Sequence, residues 1–310
     1  MPPFLNSPLT AMWFRNVQLY RLPEQWDMTA DRLSEQLSRL MFQPCGSQDL
    51  SSLGWAPVIQ DSLVHSVGGQ WLIALGVEQR LLPSSVIKQE CDDRAEEIEA
   101  QQGFKPGRKQ MKELKEAVTM ELMPRAFTRR RKSYAWIDPK NGWLAIDASS
   151  RSSAEPLVEA LHKALDELPL KLLNTELSPG AAMTDWLAGG EAPAGFTIDQ
   201  DCELRALTDE ASAVRYVRHS LEGEEIREHI ASGKQVSKLA LTFDDRISFI
   251  LTDKFEIKRV QPLDTLTGKE EGDAKSREEQ FDADLALMAG ELGKLFPALL
   301  DALGGEVKTI

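Results

Sequence analysis

A strongly basic segment, residues 104–132, limits the possible folds of this 310-residue sequence more than any other feature. The segment carries ten lysines and arginines against three glutamates, a local charge of +7 in a chain of net charge −13. Side chains charged this densely are too costly to bury, so the segment must lie on the surface of the fold. The ten basic residues are Lys105, Arg108, Lys109, Lys112, Lys115, Arg125, Arg129, Arg130, Arg131 and Lys132.

This separation of charge favours a surface for a polyanion on an otherwise acidic body. Phe127 stands just before the three consecutive arginines. Cationic side chains with an interleaved aromatic are typical of surfaces that neutralise phosphates and stack on bases. The alternative interpretation is a solvated, charged hairpin of helix and loop that has no ligand.

Length and composition narrow the class of protein. A chain of 310 residues has room for two or three domains. The odd number of cysteines, three, with no C-x-x-C pair, favours a reducing compartment, and the four scattered histidines do not suggest a zinc site. No apolar run approaches the roughly 20 residues of a membrane helix, and the first residues lack the features of a signal peptide.

Periodicity predicts irregularly mixed helices and strands with frequent hairpins, which favours an α+β fold with antiparallel sheets. Two segments are predicted as loops or short connections, 44–57 and 125–132. The predicted strands are 13–22, 63–67, 70–77, 133–137, 142–147, 196–207, 213–219, 236–243, 247–252 and 255–260. The predicted helices are 29–40, 84–101, 108–122, one capped at Ser152 or Ser153, 183–187, 224–231 and 277–303.

The predicted helix 108–122 has two distinct faces, and Pro124 ends it. At about 100° per residue its apolar side chains form one stripe and its basic side chains an adjacent one. This helix can therefore pack on one side and present cations on the other. The apolar stripe is Met111, Leu114, Val118 and Leu122, and the basic stripe includes Arg108, Lys112 and Lys115.

The last predicted helix, 277–303, has apolar residues at every third or fourth position. Two interpretations fit this seam: a core helix of its own domain, or a subunit interface. Gly290, Gly293 and Pro297 weaken it as a free coiled coil. The candidate interface residues are Phe281, Leu285, Leu292 and Leu299.

Signals for catalysis are poor, and the sequence predicts no catalytic residues, metal or cofactor. The stretch GFKPGRK at 103–109 lacks the spacing of a phosphate-binding loop. Asp199, Asp201 and Glu203 alternate along a predicted strand, so a metal-dependent nuclease is the alternative function. The pair Asp244-Asp245 is better explained as a turn between two strands.

Two further features bear on binding. Additional basic residues occur on later elements, and Lys234 and Lys238 are predicted to share one strand face. The other basic residues of this later set are Arg215, Arg218, Lys258 and Arg259. The acidic helix 84–101 leaves open a third function, a protein-binding adaptor.

Several dispersed motifs together resemble the bacterial recombination-associated protein RdgC family. The motifs are WFRNVQLYRL, FQPCGSQDLSSLGW, LLPSSVIKQ, LMPRAF, YAWIDPKNG, GKQVSKLAL and EEQFDADLALMAGELGKLF. The resemblance covers residues 12–306, while residues 1–11 have no counterpart.

The resemblance implies a DNA-binding protein that is not an enzyme, located in the cytoplasm and on the nucleoid. It implies a horseshoe-shaped subunit with a central region (12–82 and 133–170), a tip (83–132) and a base (171–310). Two subunits are expected to close a ring around duplex DNA, to bind single strands as well, and to limit access of the RecA recombinase during recombination and replication-fork repair. Phe127 then lies on a finger at the ring, and Arg218 and His219 occupy positions near DNA.

Overall fold

The computed structural model describes residues 13–23, 26–207, 212–265 and 276–307. Within these ranges the chain forms seven α-helices and one sheet of twelve strands, and all paired strands are antiparallel. The predicted α+β class is therefore confirmed. The extension 1–11 and most of the charged segment 269–277 lie outside the described residues.

The element bounds follow the chain. The strands are β1 (Asn16–Arg21), β2 (Ser51–Ala56), β3 (Val64–Val67), β4 (Gln70–Leu81), β5 (Phe127–Asp138), β6 (Trp143–Asp147), β7 (Lys171–Leu172), β8 (Phe196–Ala206), β9 (Ala213–Tyr216), β10 (Lys234–Phe243), β11 (Ile247–Thr252) and β12 (Ile257–Pro262). The helices are α1 (Ala30–Ser38), α2 (Ser84–Gln102), α3 (Arg108–Leu122), α4 (Arg151–Ala164), α5 (Pro179–Gly189), α6 (Glu224–Ala231) and α7 (Arg277–Ala302).

The sheet is continuous from one end of the fold to the other. Its strand order is β2-β4-β5-β6-β1-β12-β11-β10-β8-β9, with β3 added to β4 and β7 to β1. The pairing of β1 with β12, Asn16 opposite Lys258 and Val17 opposite Ile257, joins a first half (β1–β7) to a second half (β8–β12). Residues far apart in sequence therefore share one surface.

Helices α1 and α4 cover one face of the first half of the sheet. Leu33 and Leu37 of α1, with Leu157 and Leu161 of α4, are almost completely buried there. Either Asp27 or Thr29 could cap α1 on sequence grounds, and Thr29 does so by accepting a hydrogen bond from the Arg32 N–H. Helix α4 begins earlier than predicted, because its N-cap is Ser150.

Helix α7 lies inside the main hydrophobic core and packs against strands of both halves of the sheet. The ring of Phe296 lies 5.8 Å from the rings of both Trp136 and Trp143. The four proposed interface residues are at most 4% exposed. The structure therefore contradicts the prediction that the seam is a subunit interface, because these side chains already pack within one subunit: Phe281, Leu285, Leu292 and Leu299.

Two segments predicted as loops are strands or contain one. Segment 44–57 contains β2, and most of segment 125–132 is the first half of β5. The cause is tertiary: β4 extends to Leu81, and its two edges pair with β2 and β5. Strand preference depends on such neighbours more than on local composition.

Two findings concern the whole described chain. No helix among the described residues is both long and apolar enough to cross a membrane. The three cysteines, Cys45, Cys91 and Cys202, are all free thiols.

Candidate nucleic-acid interface

The basic segment lies mainly on an insertion between two paired strands. We call residues 82–126 the insert, because they connect β4 to β5. Strands β4 and β5 pair from Trp71 opposite Ile137 to Leu81 opposite Phe127. The insert consists of the acidic helix α2, the basic helix α3 and a short 3₁₀ turn, Met123–Arg125.

Helix α3 presents its cations to solvent as predicted. Val118 is fully buried, and the remaining residues of the apolar stripe are half-buried. Arg108, Lys112 and Lys115 are exposed on the adjacent face. The i,i+4 pairs Lys109–Glu113 and Lys112–Glu116, with N···O distances of 3.9 and 4.0 Å, are exposed to water and weak. These lysines therefore remain available to a polyanion.

Arg94 links the two helices of the insert. Its guanidinium lies 2.8 Å from the carboxylate of Glu90 on α2 and 2.8 Å from that of Glu121 on α3. The hydrogen bond from Arg94 lowers the pKa of Glu121. This three-residue bridge orients the basic helix on the acidic one.

Strand alternation divides the basic residues of β5 between two faces. Successive side chains of a strand point to opposite sides of the sheet. One face, which we call the outer face, therefore carries Phe127, Arg129 and Arg131. The opposite inner face carries Thr128, Arg130 and Lys132.

The inner face contains protein partners for its cations. Arg130 lies 3.4 Å from the carboxylate of Glu78, which is 2% exposed. Burial opposes ionisation of Glu78, but hydrogen bonds from Thr128, the Cys45 N–H and Arg130 outweigh it and lower its pKa. Lys132 donates to the Pro57 carbonyl at 2.6 Å, and burial lowers the pKa of its ammonium group. Arg130 and Lys132 therefore also stabilise the sheet.

The outer face is free for a ligand. Among the described residues, neither Arg129 nor Arg131 has a carboxylate partner, and both are exposed. Phe127 is 84% exposed and lies opposite Leu81, which is 47% exposed. The Phe127 side chain therefore does not pack onto the apolar stripe of α3. Arg125, in the 3₁₀ turn, and Lys105, before α3, are also exposed.

A second charged surface lies on the face of β8–β12 opposite α7. Its centre is the carboxylate of Glu203, which is 2% exposed. Arg205 (2.8 Å), Arg215 (2.5 Å) and Lys238 (3.1 Å) all contact it. Burial opposes its ionisation, but hydrogen bonds from Arg215, Lys238 and Ser237 lower its pKa to about 2. Glu203, Arg215 and Lys238 line a groove of about 420 Å³ that Lys258 and Arg259 also border.

Lys234 and Lys238 do not share a face, contrary to the prediction. The register of β10 against β8 shifts between Val236 and Lys238, so the alternation reverses there. Lys234 lies on the side of Val236, near His229 and Ser232 of the neighbouring turn. Lys238 is on the opposite side with Glu203. A bulge of one residue moves every later side chain to the other face.

Arg218 and His219 lie at the end of β9, and both are exposed. Arg218 has φ of 52°, a left-handed conformation that is uncommon for arginine. Its N–H donates to Asp201 at 2.7 Å, and the His219 N–H donates to the Gln200 carbonyl at 3.0 Å. These bonds position both side chains at the rim of the sheet.

The carboxylates of the nuclease alternative already have protein donors. Asp199 accepts from Thr242 at 2.9 Å, Asp201 accepts from Arg218, and Glu203 is surrounded by cations. The described residues contain no group of three or more potential ligands that could hold a metal ion. These three carboxylates are therefore held by ion pairs and hydrogen bonds within the chain.

Sequence reasoning missed two residues that shape these surfaces, Glu78 and Arg205. Both are charged residues in strands, and each interacts with a basic or acidic residue near it in space. Arg205 and Glu203, two positions apart, do share a strand face, which is a signal that the sequence contains. Glu78 meets Arg130 across 52 positions of sequence, and no local pattern reveals that pairing.

Fold and surface together define an α+β protein that presents many cationic side chains on an insert and along a long antiparallel sheet. A family model described as "Putative exonuclease, RdgC" matches residues 12–306. The chain belongs to the RdgC family.

Three relatives, each called recombination-associated protein RdgC, align with this chain over almost its whole length. The protein of Dechloromonas aromatica is 59% identical over 300 residues, which cover 96% of this chain and 99% of the relative. Those of Cupriavidus necator (51%) and Janthinobacterium sp. (50%) each align over 298 residues, 96% of this chain and 100% and 99% of the relatives.

Proposed function

We propose that this protein binds DNA without sequence preference and thereby limits access of the RecA recombinase to DNA during recombination and replication-fork repair. The observation that carries the proposal is the outer face of β5, where Phe127, Arg129 and Arg131 are exposed and the arginines have no carboxylate partner within the described chain. The name of the relatives, recombination-associated protein, supports a role on DNA.

The chemistry of the surface suits a phosphate backbone and not a base sequence. Guanidinium and ammonium groups neutralise phosphates and displace counterions from any sequence. An aromatic ring stacks on bases of any kind, which extends binding to single strands. The sequence contains no motif of a recognition helix that enters the major groove. We therefore expect contacts to the DNA backbone and stacking on bases, without recognition of a base sequence.

The ring-shaped homodimer is part of the proposal. In that arrangement residues 83–132 are the tip, residues 171–310 are the base, and contacts at both ends close the ring. The buried seam of α7 does not supply these contacts, so they must come from surface residues. Exposed apolar side chains at the two ends support this: Phe104 and Met120 on the insert, each 62% exposed, and Val217 beside β9, 60% exposed. Light scattering should give twice the mass of one chain.

An enclosing ring limits RecA by occupying the DNA, so no catalytic step is required. We place the protein in the cytoplasm, on the nucleoid. The description of the family as a putative exonuclease makes cleavage the outcome to test. Linear plasmid incubated with the protein and magnesium should stay intact. Shortening of the plasmid that disappears in an Asp199→Asn, Asp201→Asn variant would establish the nuclease.

The test of binding compares two double variants in which exposed arginines are replaced. Fluorescence anisotropy with labelled duplexes of two unrelated sequences, at several salt concentrations, measures affinity. Replacing Arg129 and Arg131 with glutamine should weaken both sequences equally, whereas the same change at Arg32 and Arg227, which are exposed on α1 and α6, should leave affinity unchanged. Equal reductions of affinity in the two variants would mean that only the net charge of the protein matters.

The role in recombination needs a separate measurement. Preincubation of DNA with the protein should delay the formation of RecA filaments. The DNA-dependent ATPase activity of the recombinase measures this delay. The Arg129→Gln, Arg131→Gln variant should delay it less than the wild type does. A delay that survives loss of DNA binding would show that the protein acts on RecA itself.

A further inference from the structure

A small pocket lined by charged and apolar side chains lies on the first half of the sheet, apart from both cationic surfaces. It has a volume of about 200 Å³ and lies between α4, β1 and β7. Arg151, Glu155 and His162 line it from α4, and Lys171 lines it from β7. The α4 residues occur at positions i, i+4 and i+11, so they lie along one edge of the helix.

Tyr20 is the unusual residue of this pocket. Its side chain is in the core beneath α4 and is 6% exposed, yet it also lines the pocket. Within the described chain its hydroxyl makes no hydrogen bond. The hydroxyl is not fully enclosed by protein, because it opens into the pocket. Its O–H is therefore available there as a donor to a ligand.

The charged groups around the pocket also lack partners. Arg151 and Glu155 stand at i and i+4 on α4, but neither they nor Lys171 forms an ion pair within the described residues. Burial raises the pKa of Tyr20, and Glu155 raises it further, whereas Arg151 opposes this shift. The hydroxyl is thus neutral and able to donate. Three donors, from Tyr20, Arg151 and Lys171, and one acceptor, Glu155, line the same pocket, and the three charged side chains are exposed to solvent.

We propose that this pocket binds a small oxyanion that also carries a hydroxyl, namely hydrogen phosphate or the singly protonated phosphate of a small ester. Arginine, lysine and the tyrosine hydroxyl donate to the phosphate oxygens. Glu155 accepts a hydrogen bond from the phosphate hydroxyl. A sulfate ion has the same shape but no such hydroxyl, so the carboxylate repels it. This proposal is independent of DNA binding by the insert.

Isothermal titration calorimetry at constant ionic strength tests the proposal with inorganic phosphate and with sulfate. The wild type should bind phosphate with one site per chain and sulfate more weakly. Tyr20→Phe keeps the ring and removes the hydroxyl, and it should weaken phosphate binding about tenfold or more. Glu155→Gln should remove the preference for phosphate over sulfate. Absence of saturable binding at millimolar phosphate would overturn the proposal.

Two matched lysine variants distinguish a specific phosphate site from non-specific attraction of phosphate to a positive surface. Lys171→Gln should weaken phosphate binding, whereas Lys163→Gln, on α4 but 3.9 Å from Glu159 and outside the pocket, should not. Equal effects of the two changes would also overturn the proposal. A free phosphate site and an ester site are distinguished by titration with glycerol phosphate, which binds only if the pocket mouth admits the ester group.

DNA is the remaining source of phosphate. The DNA affinity of the Tyr20→Phe variant should equal that of the wild type, and inorganic phosphate bound at the pocket should not displace DNA. A weaker DNA affinity in Tyr20→Phe, with an unchanged melting temperature, would make the pocket part of the DNA interface and reject the small-ligand proposal.

Discussion

Helix α7 and the two helices of the insert have opposite relations to solvent. Ten of the 26 residues of α7 are buried, whereas α2 and α3, with 19 and 15 residues, bury one residue each. Helix α7 holds the two halves of the sheet together, while the insert holds cations away from the core. If the proposed binding surface is correct, the residues that stabilise the fold and the residues that bind DNA lie in different regions of the chain.

The two regions also treat charge differently. In the body, Glu203 and Glu291 are buried among arginines and lysines, and each pair is closed within the chain. On the outer face of β5, next to the insert, Arg129 and Arg131 have no carboxylate partner among the described residues. Closed ion pairs contribute to folding, whereas open cations contribute to association with an anion. Substitutions in the two regions should therefore differ in their effects on folding and on binding.

The largest effect is expected from placing a charge in the α7 seam. Leu292 is 0% exposed, so Leu292→Asp buries a carboxylate without a partner. The loss should exceed about 4–5 kcal/mol, and the chain should not fold at 25 °C. Circular dichroism and urea titration check this. A variant that stays folded but becomes monomeric would restore the seam as a subunit interface.

The same substitution, phenylalanine to alanine, should change the free energy of unfolding very differently in the two regions. Phe296 is 0% exposed in the core, so Phe296→Ala should lower the free energy of unfolding by about 3–5 kcal/mol. Phe127→Ala, at 84% exposure, should change the free energy of unfolding by less than about 0.5 kcal/mol. Urea titration of both variants gives the two values.

The DNA affinity of the same pair completes the test. Loss of one stacking ring should weaken DNA binding by about 1–3 kcal/mol in Phe127→Ala. Under conditions where Phe296→Ala is folded, its DNA affinity should equal that of the wild type. A melting temperature several degrees lower in Phe127→Ala, with unchanged affinity, would show that Phe127 contributes only to packing.

Glu203→Gln tests the closed ion pairs through pH. The folded-state pKa of Glu203 is lowered to about 2, below its value in the unfolded chain, so its ionised form favours the folded state. This stability is present above the unfolded pKa and is lost as the pH falls towards 2. Removing the charge leaves Arg215 and Lys238 without their partner and should cost about 1–3 kcal/mol at pH 7.

The measurement compares urea unfolding of the wild type and Glu203→Gln from pH 7 down to the acid limit. The difference between the two proteins should shrink below about pH 4.5, where the unfolded carboxyl takes up its proton. A difference that does not change with pH would mean that shape rather than charge holds the cluster together.

The smallest effect on folding is expected at the outer arginines. Arg129→Gln with Arg131→Gln should leave the melting temperature unchanged, since neither side chain has a carboxylate partner within the described residues. The log–log salt slope of duplex binding should become shallower by about 0.9 for each phosphate that the variant no longer neutralises. Arg130→Gln is the matched control, because Arg130 faces Glu78, and that change should lower stability more than it lowers DNA affinity.

Much of the fold was predictable from local patterns. The bounds of α3 and α6, the hairpin of β3 and β4, and the turn at Asp244-Asp245 all follow periodicity and turn residues. The basic stripe of α3 was predictable for the same reason. The strand character of 127–132 was not, since three arginines in succession have no strand pattern and only the exposed edge of β4 makes them one.

By itself, the sequence determined the α+β class, most helices and hairpins, and the concentration of positive charge in 104–132. Those properties depend on neighbours along the chain. Three properties depend on the tertiary structure. The seam of α7 is buried within one subunit, and Lys234 and Lys238 lie on opposite faces of β10. Arg130 has a carboxylate partner, whereas Arg129 has none among the described residues. The reason is physical: periodicity states that a helix or strand has two faces, but what each face meets depends on residues distant in sequence.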